Sequence, residues 1–252
     1  MSNHYHIVLR TDPRRPGHWS DDEVAERWLQ ICPGRKPRKP DPDIHEKRKH
    51  ALLADPAQIE RLRKRLGSLS WFMRQINEPL ARRSNKEDGC TGRFWEGRFS
   101  SQAILDDAGM LACMVYVDLN PVRAGLAEDL ADSKHTSVRH RISLDASEQR
   151  LAPIHREPDD ADVLGYLTVA EYLELVRWTA HCQSDYRPGI ESIRLPKVLQ
   201  QHDVDEDTWH SHYLPVPHHW QRAIGSRIAL EDYAKMLGQR WIKKRNRLAS
   251  AR

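Results

Sequence analysis

Two histidines stand one residue apart in "SNHYHIVL", at positions 4 and 6, and a tyrosine and an asparagine stand four apart in "YVDLNPVRAGL", at positions 116 and 120. On an extended segment residues i and i+2 project from one face, so the imidazoles of His4 and His6 can share one divalent ion. On a helix residues i and i+4 are neighbours, which sets the Asn120 amide one turn beyond the Tyr116 phenol. A phenol with an ordinary pKa of about 10 is a poor nucleophile at neutral pH. It becomes competent where a cation polarises its target, as a metal does when it acts as a Lewis acid on a phosphoryl oxygen. Together the two motifs point to metal-assisted attack of a tyrosine on phosphorus. Each also has a plainer use: a solvated His pair on a polar strand face, a tyrosine packed into a core, and an asparagine that ends a helix before Pro121.

The elements that must position these groups follow from periodicity. Residues 3–10 alternate, with Tyr5, Ile7 and Leu9 on one face and His4, His6 and Val8 on the other, which predicts a strand. Ser20 and Glu23 form a capping box for a helix through Val24, Trp28 and Leu29, ended by Pro33-Gly34. "PGRKPRKPDPD" reads as extended and basic, because each proline fixes its own φ and disfavours helix in the residue before it. Residues near 11–55 are a polar insertion on this reading. Helical spacing returns around Ile59, Leu62 and Leu66, and again in "SLSWFMRQINEPLARR", where Pro79 is expected to kink or interrupt the helix. "TGRFWEGRFSSQAIL" predicts two short strands or an extended segment running into one. Asp106 or Asp107 then caps a helix carrying Met110, Leu111, Met114 and Val115, which should stop near Asn120 because Pro121 follows. The expected organisation is a catalytic domain over 1–143, an acidic, proline-containing linker over 144–165, and a helical C-terminal region over 166–252. That last region holds "TVAEYLELVRWTAHCQ" and "ALEDYAKMLGQRWIKKRNRL".

Composition narrows the classes. Lys and Arg number 40 against 36 Asp and Glu, a net charge of +4, so the placement of charge matters more than its sum; a nucleic-acid partner is allowed without being demanded. The four cysteines, Cys32, Cys90, Cys113 and Cys182, form no C-x-x-C pair. That argues against a disulfide framework and a structural zinc site, and reduced thiols in a cytoplasmic protein are expected. No apolar run approaches the roughly 20 residues that span a bilayer, so no membrane partner is expected. His210, His212, His218 and His219 lack intervening cysteines or carboxylates at a recognised ligand spacing and are not read as a second metal site.

Cations cluster beside aromatic rings in "GRFWEGRF", where Arg93 and Arg98 flank Phe94, Trp95 and Phe99. Guanidinium groups and ring faces suit phosphates and unstacked bases; the same aromatic residues equally suit a core. Arg123 follows the tyrosine helix and is a candidate phosphate contact, with a surface ion pair as its rival role. The five cations of "RWIKKRNRL" can track a nucleic-acid backbone or simply be solvated.

Four segments, "SNHYHIVL", "LSWFMRQIN", "GRFWEGRF" and "YVDLNPVRAGL", resemble in sequence and in order the single-tyrosine HUH transposases of the insertion-sequence and REP-associated types, over roughly residues 1–142. The resemblance implies an α+β fold: a ferredoxin-like antiparallel sheet with helices, to which the helical C-terminal region is an extension. It implies that Tyr116 cleaves single-stranded or hairpin DNA, giving a 5′-phosphotyrosine and a free 3′-hydroxyl, and that a later 3′-hydroxyl reseals the strand. The implied cofactor is Mg²⁺ or Mn²⁺ at His4, His6 and Asn120, the implied DNA contacts are Arg93, Trp95, Arg98 and Arg123, and a homodimer is allowed. Relatives often carry glutamine at the position of Asn120, so the amide here reaches less far. They also place a strand and a helix before the His-x-His strand, so the sheet is expected to be incomplete at its N-terminus. The alternative is a DNA-hairpin-binding remnant that no longer cleaves. A tyrosine recombinase acting on duplex DNA would need an Arg/His cluster and no metal, and the His-x-His segment disfavours it.

Overall fold

The computed structural model describes residues 4–35, 37, 40–143, 167–183, 194–214, 222–240 and 242. The chain divides into two compact units: Leu9–Phe99 forms one, while the first eight residues belong with Ser100–Arg252 in the other. This differs from the expected domain over 1–143. The breaks fall at residues 9 and 99, and the C-terminal helices are part of the unit that carries Tyr116. The linker expected over 144–165 lies outside the described residues, as does most of "RWIKKRNRL".

The Leu9–Phe99 unit is helical. Helix α1 (Asp21–Ile31) starts at a complete capping box, the Ser20 hydroxyl accepting from the Glu23 backbone and the Glu23 carboxylate from the Ser20 backbone. Helices α2 (Ile44–Leu53) and α3 (Pro56–Leu66) follow, α3 capped by Asp55. Val24 and Ala25 of α1 and Ile59 and Leu62 of α3 form its core, covered by Trp19, Trp28, Leu52, Leu53 and Leu66. Helix α4 (Leu69–Glu87) runs through Pro79 without a break.

The other unit holds β1 (Ala103–Ile104), α5 (Asp107–Arg123), α6 (Ser137–Ser143), α7 (Val169–Gln183), α8 (Lys197–Gln201), a one-turn α9 (Glu206–Thr208) that widens into a π-helix (Trp209–Tyr213), β2 (Ala223–Ile224) and α10 (Arg227–Met236). Asp106 caps α5 by accepting from the Gly109 backbone at 2.8 Å, and the same carboxylate accepts from the Ser226 backbone, tying the start of α5 to the turn after β2. Leu111, Val115 and Leu119 of α5 recur every fourth residue and bury against Tyr172, Leu175 and Val176 of α7 and Trp209 of the π-helix in one core. Burying side chains of this size contributes ~1.5–3 kcal/mol each, so α7 is integral to this unit.

Among the described residues the antiparallel ferredoxin-like sheet does not form. Among the described residues the strands are β1 and β2, two residues each, paired in parallel with Ala103 opposite Ala223 and Ile104 opposite Ile224. Residues 4–10 and the "GRFWEGRF" stretch join no ladder. A strand persists only where neighbours satisfy its backbone groups and cover a shared apolar face, and most of this chain spaces its apolar residues at three and four. Helix-on-helix packing takes up those faces instead. Among the described residues no helix is long and apolar enough to cross a membrane.

Candidate active site

Helix α5 has two working faces. Leu111, Val115 and Leu119 point to the core, while Tyr116, half-buried, and Asn120, 8% exposed, share the side one turn apart. The helix was expected to stop near Asn120 because of Pro121, but it continues through that proline to Arg123. A proline in the last turn removes one helical hydrogen bond without stopping the few residues that remain. Asn120 therefore stays in helical register with Tyr116.

The N-terminal segment reaches this face without being a strand. The rings of His4 and His6 lie 5.1 Å apart at 78°, and His6 meets the Tyr116 ring edge-on at 5.4 Å. The alternation in the sequence does not carry over into burial: Val8 packs on the α5 core and His6 is half-buried, but so are Tyr5 and Leu9, while His4 and Ile7 are exposed. Across the phenol, the Arg123 guanidinium sits 5.3 Å from the ring centroid. His4, His6, Tyr116, Asn120 and Arg123 thus gather in one place, from segments more than a hundred residues apart.

The electrostatics oppose one another. Burial pushes the Tyr116 phenol above its ordinary 10.0, while the Arg123 charge and a hydrogen bond from the Asn120 side chain pull it back. Burial, and then the neighbouring His4, hold His6 below its ordinary 6.5, so its ring is kept neutral, the form that ligates a cation. The Nε2 of His6 is buried without a hydrogen-bond partner among the described residues, which fits two imidazoles and an amide oxygen around an ion. Cys113, one turn before Tyr116, is 6% exposed, and burial raises its thiol to about 12; it is core.

The remaining candidates lie in the Leu9–Phe99 unit. Arg93 and Arg98 are exposed. Trp95 is half-buried, its indole donating to the Asn77 carbonyl at 3.1 Å and its face meeting Phe94 edge-on at 4.8 Å. With Arg74, Asn77, Arg82 and Asn85 it lines an open groove of about 330 Å³.

Asp118 went unnoticed in the sequence. It is 1% exposed, and its Oδ1 accepts from the Ser137 hydroxyl at 3.1 Å and the Val138 backbone at 3.2 Å. Its Oδ2 accepts from Arg141 at 2.8 Å and from the Tyr172 hydroxyl at 2.6 Å. It ties α5 to α6 and α7 from the side opposite the phenol. The usable signal was a lone acid in the apolar stretch "MVYVDL", which must find donors if buried. Among the other histidines, His212 is engaged through Nε2 with the Gly225 carbonyl at 2.8 Å, and His218 and His219 lie outside the described residues.

No protein-family model, curated protein or solved structure matches this chain.

Proposed function

We propose that this protein cleaves and rejoins single-stranded or hairpin DNA, with Tyr116 as the nucleophile. The observation that supports this reading most is the gathering of His4, His6, Asn120 and Arg123 around the Tyr116 ring. The phenolic oxygen attacks phosphorus, a new P–O bond forms as the bond to the 3′-oxygen breaks, and the phenol's proton ends on the released 3′-hydroxyl. Arg123, beside the ring, lowers the cost of the phenolate and is the proposed partner of a phosphate oxygen of the strand. The Asn120 amide holds the phenolic oxygen in place. His4, His6 and the Asn120 carbonyl would hold a divalent cation, which supplies Lewis-acid polarisation of the scissile phosphate. Two nitrogen ligands suit Mn²⁺ better than Mg²⁺, which prefers oxygen. Arg93, Arg98 and Trp95 are the proposed contacts to the strand in the other unit.

The test is incubation of the full chain with labelled hairpin DNA and Mn²⁺, followed by denaturing electrophoresis. Wild type is expected to give a covalent protein–DNA adduct that Tyr116→Phe and chelation both abolish. Hairpin binding without an adduct would overturn strand transfer and assign the protein to binding alone.

A further inference from the structure

A second group of ligand atoms shares no residue with the tyrosine cluster. Glu206 and His210 are four residues apart on the run of α9 into the π-helix, so they share a face, and Cys182 is on the last turn of α7. One ligand atom from each, the thiol sulfur, a carboxylate oxygen and a ring nitrogen, lie within 4.8 Å of one another. Two ligands of a tetrahedral zinc with its usual bond lengths stand roughly 3.3–3.8 Å apart. Cys182 and Glu206 are exposed, so both side chains have room to change rotamer towards that spacing.

The scaffold behind these residues is pinned. The Trp209 indole donates to the Thr179 hydroxyl at 3.1 Å, both side chains buried, which locks α7 to the start of the π-helix. The Trp178 ring lies 5.5 Å from the His210 ring. Single π-turns inside helical runs concentrate at functional sites because they re-aim side chains, and this one begins one residue before His210. The Nε2 of His210 is buried with no hydrogen-bond partner among the described residues. Such a nitrogen calls for a partner, and a metal ion is one that an imidazole takes.

We propose that Cys182, Glu206 and His210 bind one zinc ion, with a fourth position open to water or an incoming group. Sulfur and imidazole beside a single carboxylate select a borderline-soft ion over Mg²⁺ or Ca²⁺. The site is independent of the tyrosine chemistry, and neither proposal requires the other.

The experiment strips the full chain with chelator and titrates it with Co²⁺, whose bond to a thiolate gives an intense near-ultraviolet charge-transfer band. The expected result is a band that saturates at one Co²⁺ per chain, is displaced by Zn²⁺, and persists in the His4→Ala/His6→Ala double variant. Cys182→Ser is expected to abolish it, and His210→Gln to weaken Co²⁺ by more than about 100-fold, beyond the loss typical of an outer-sphere partner. A wild-type chain without the band overturns the proposal, and so does a band that survives Cys182→Ser, is unmoved by His210→Gln or disappears in the double variant. The wild-type titration decides even if a variant fails to fold.

Discussion

Replacing Asp118 with asparagine keeps the volume of the side chain and removes its charge. The carboxylate accepts four hydrogen bonds, two on each oxygen, from Ser137, Val138, Arg141 and Tyr172. An amide has one acceptor oxygen, so its NH₂ must face two of these donors. The Ser137 and Tyr172 hydroxyls can reverse and accept from it, but either Val138 N–H or Arg141 is left facing the NH₂, and the Arg141 guanidinium loses its countercharge. Removing one partner of a buried ion pair costs about 3–5 kcal/mol. The Arg141 side chain is 20% exposed and keeps some water, so the lower end applies, about 3 kcal/mol. For a chain of this size that lowers the melting temperature by about 6–12 °C. Urea unfolding followed by far-ultraviolet circular dichroism, with calorimetry for the transition temperature, measures it. Adding Arg141→Met should restore part of the loss, because no uncompensated cation remains. An Asp118→Asn protein within about 1 kcal/mol of wild type would refute the view that this network holds α5 against α6 and α7.

Ser20→Ala removes one half of the capping box at α1 and should cost about 1 kcal/mol, read as a lower urea midpoint. Gly225→Ala places a Cβ 2.9 Å from that of Leu105 and 3.2 Å from the Asp106 carboxylate; the overlap should cost ~1–3 kcal/mol and loosen the β1–β2 pairing, seen as faster amide exchange at Leu105. His6 titrates below its ordinary 6.5 in the fold because burial and His4 disfavour its charged form. Its contribution to stability is therefore present above 6.5 and lost as pH falls through the lower folded value. Mn²⁺ affinity should weaken over the same acid range, and calorimetric titration from about pH 8 to about pH 5 should show that fall in wild type and not in His6→Ala.

Much of the local structure was legible in the residues, because caps and helical spacing act over a few positions. Ser20 with Glu23 and Asp106 with Gly109 start their helices as their types require. Tyr116 and Asn120 share a face because i and i+4 must. The sheet was misread because alternation in residues 4–10 reports which side chains face the same way and says nothing about whether another strand is there to pair with. The end of α5 was misread because Pro121 falls where the helix has few bonds left to lose. Longer-range choices left no local trace: Asp118 finds its partners 19 to 54 residues away, and the apolar face of α7 does not say which helix it covers. Cys182 and His210 are separated by enough chain that no spacing rule links them.

The first eight residues belong to the unit that resumes at Ser100, and this sets an order of events during synthesis. His4 and His6 are made before Tyr116 and cannot meet it until more than a hundred further residues have followed, so the site cannot close while the chain between them is still emerging. Joining the two ends of a flexible stretch of about ninety residues carries an entropic cost of about 4 kcal/mol. A Leu9–Phe99 unit that folds as it emerges replaces that loose tether with a structured one before the histidines are needed. Destabilising α1 or α3 should therefore slow the maturation of a site that neither helix supplies with a single residue.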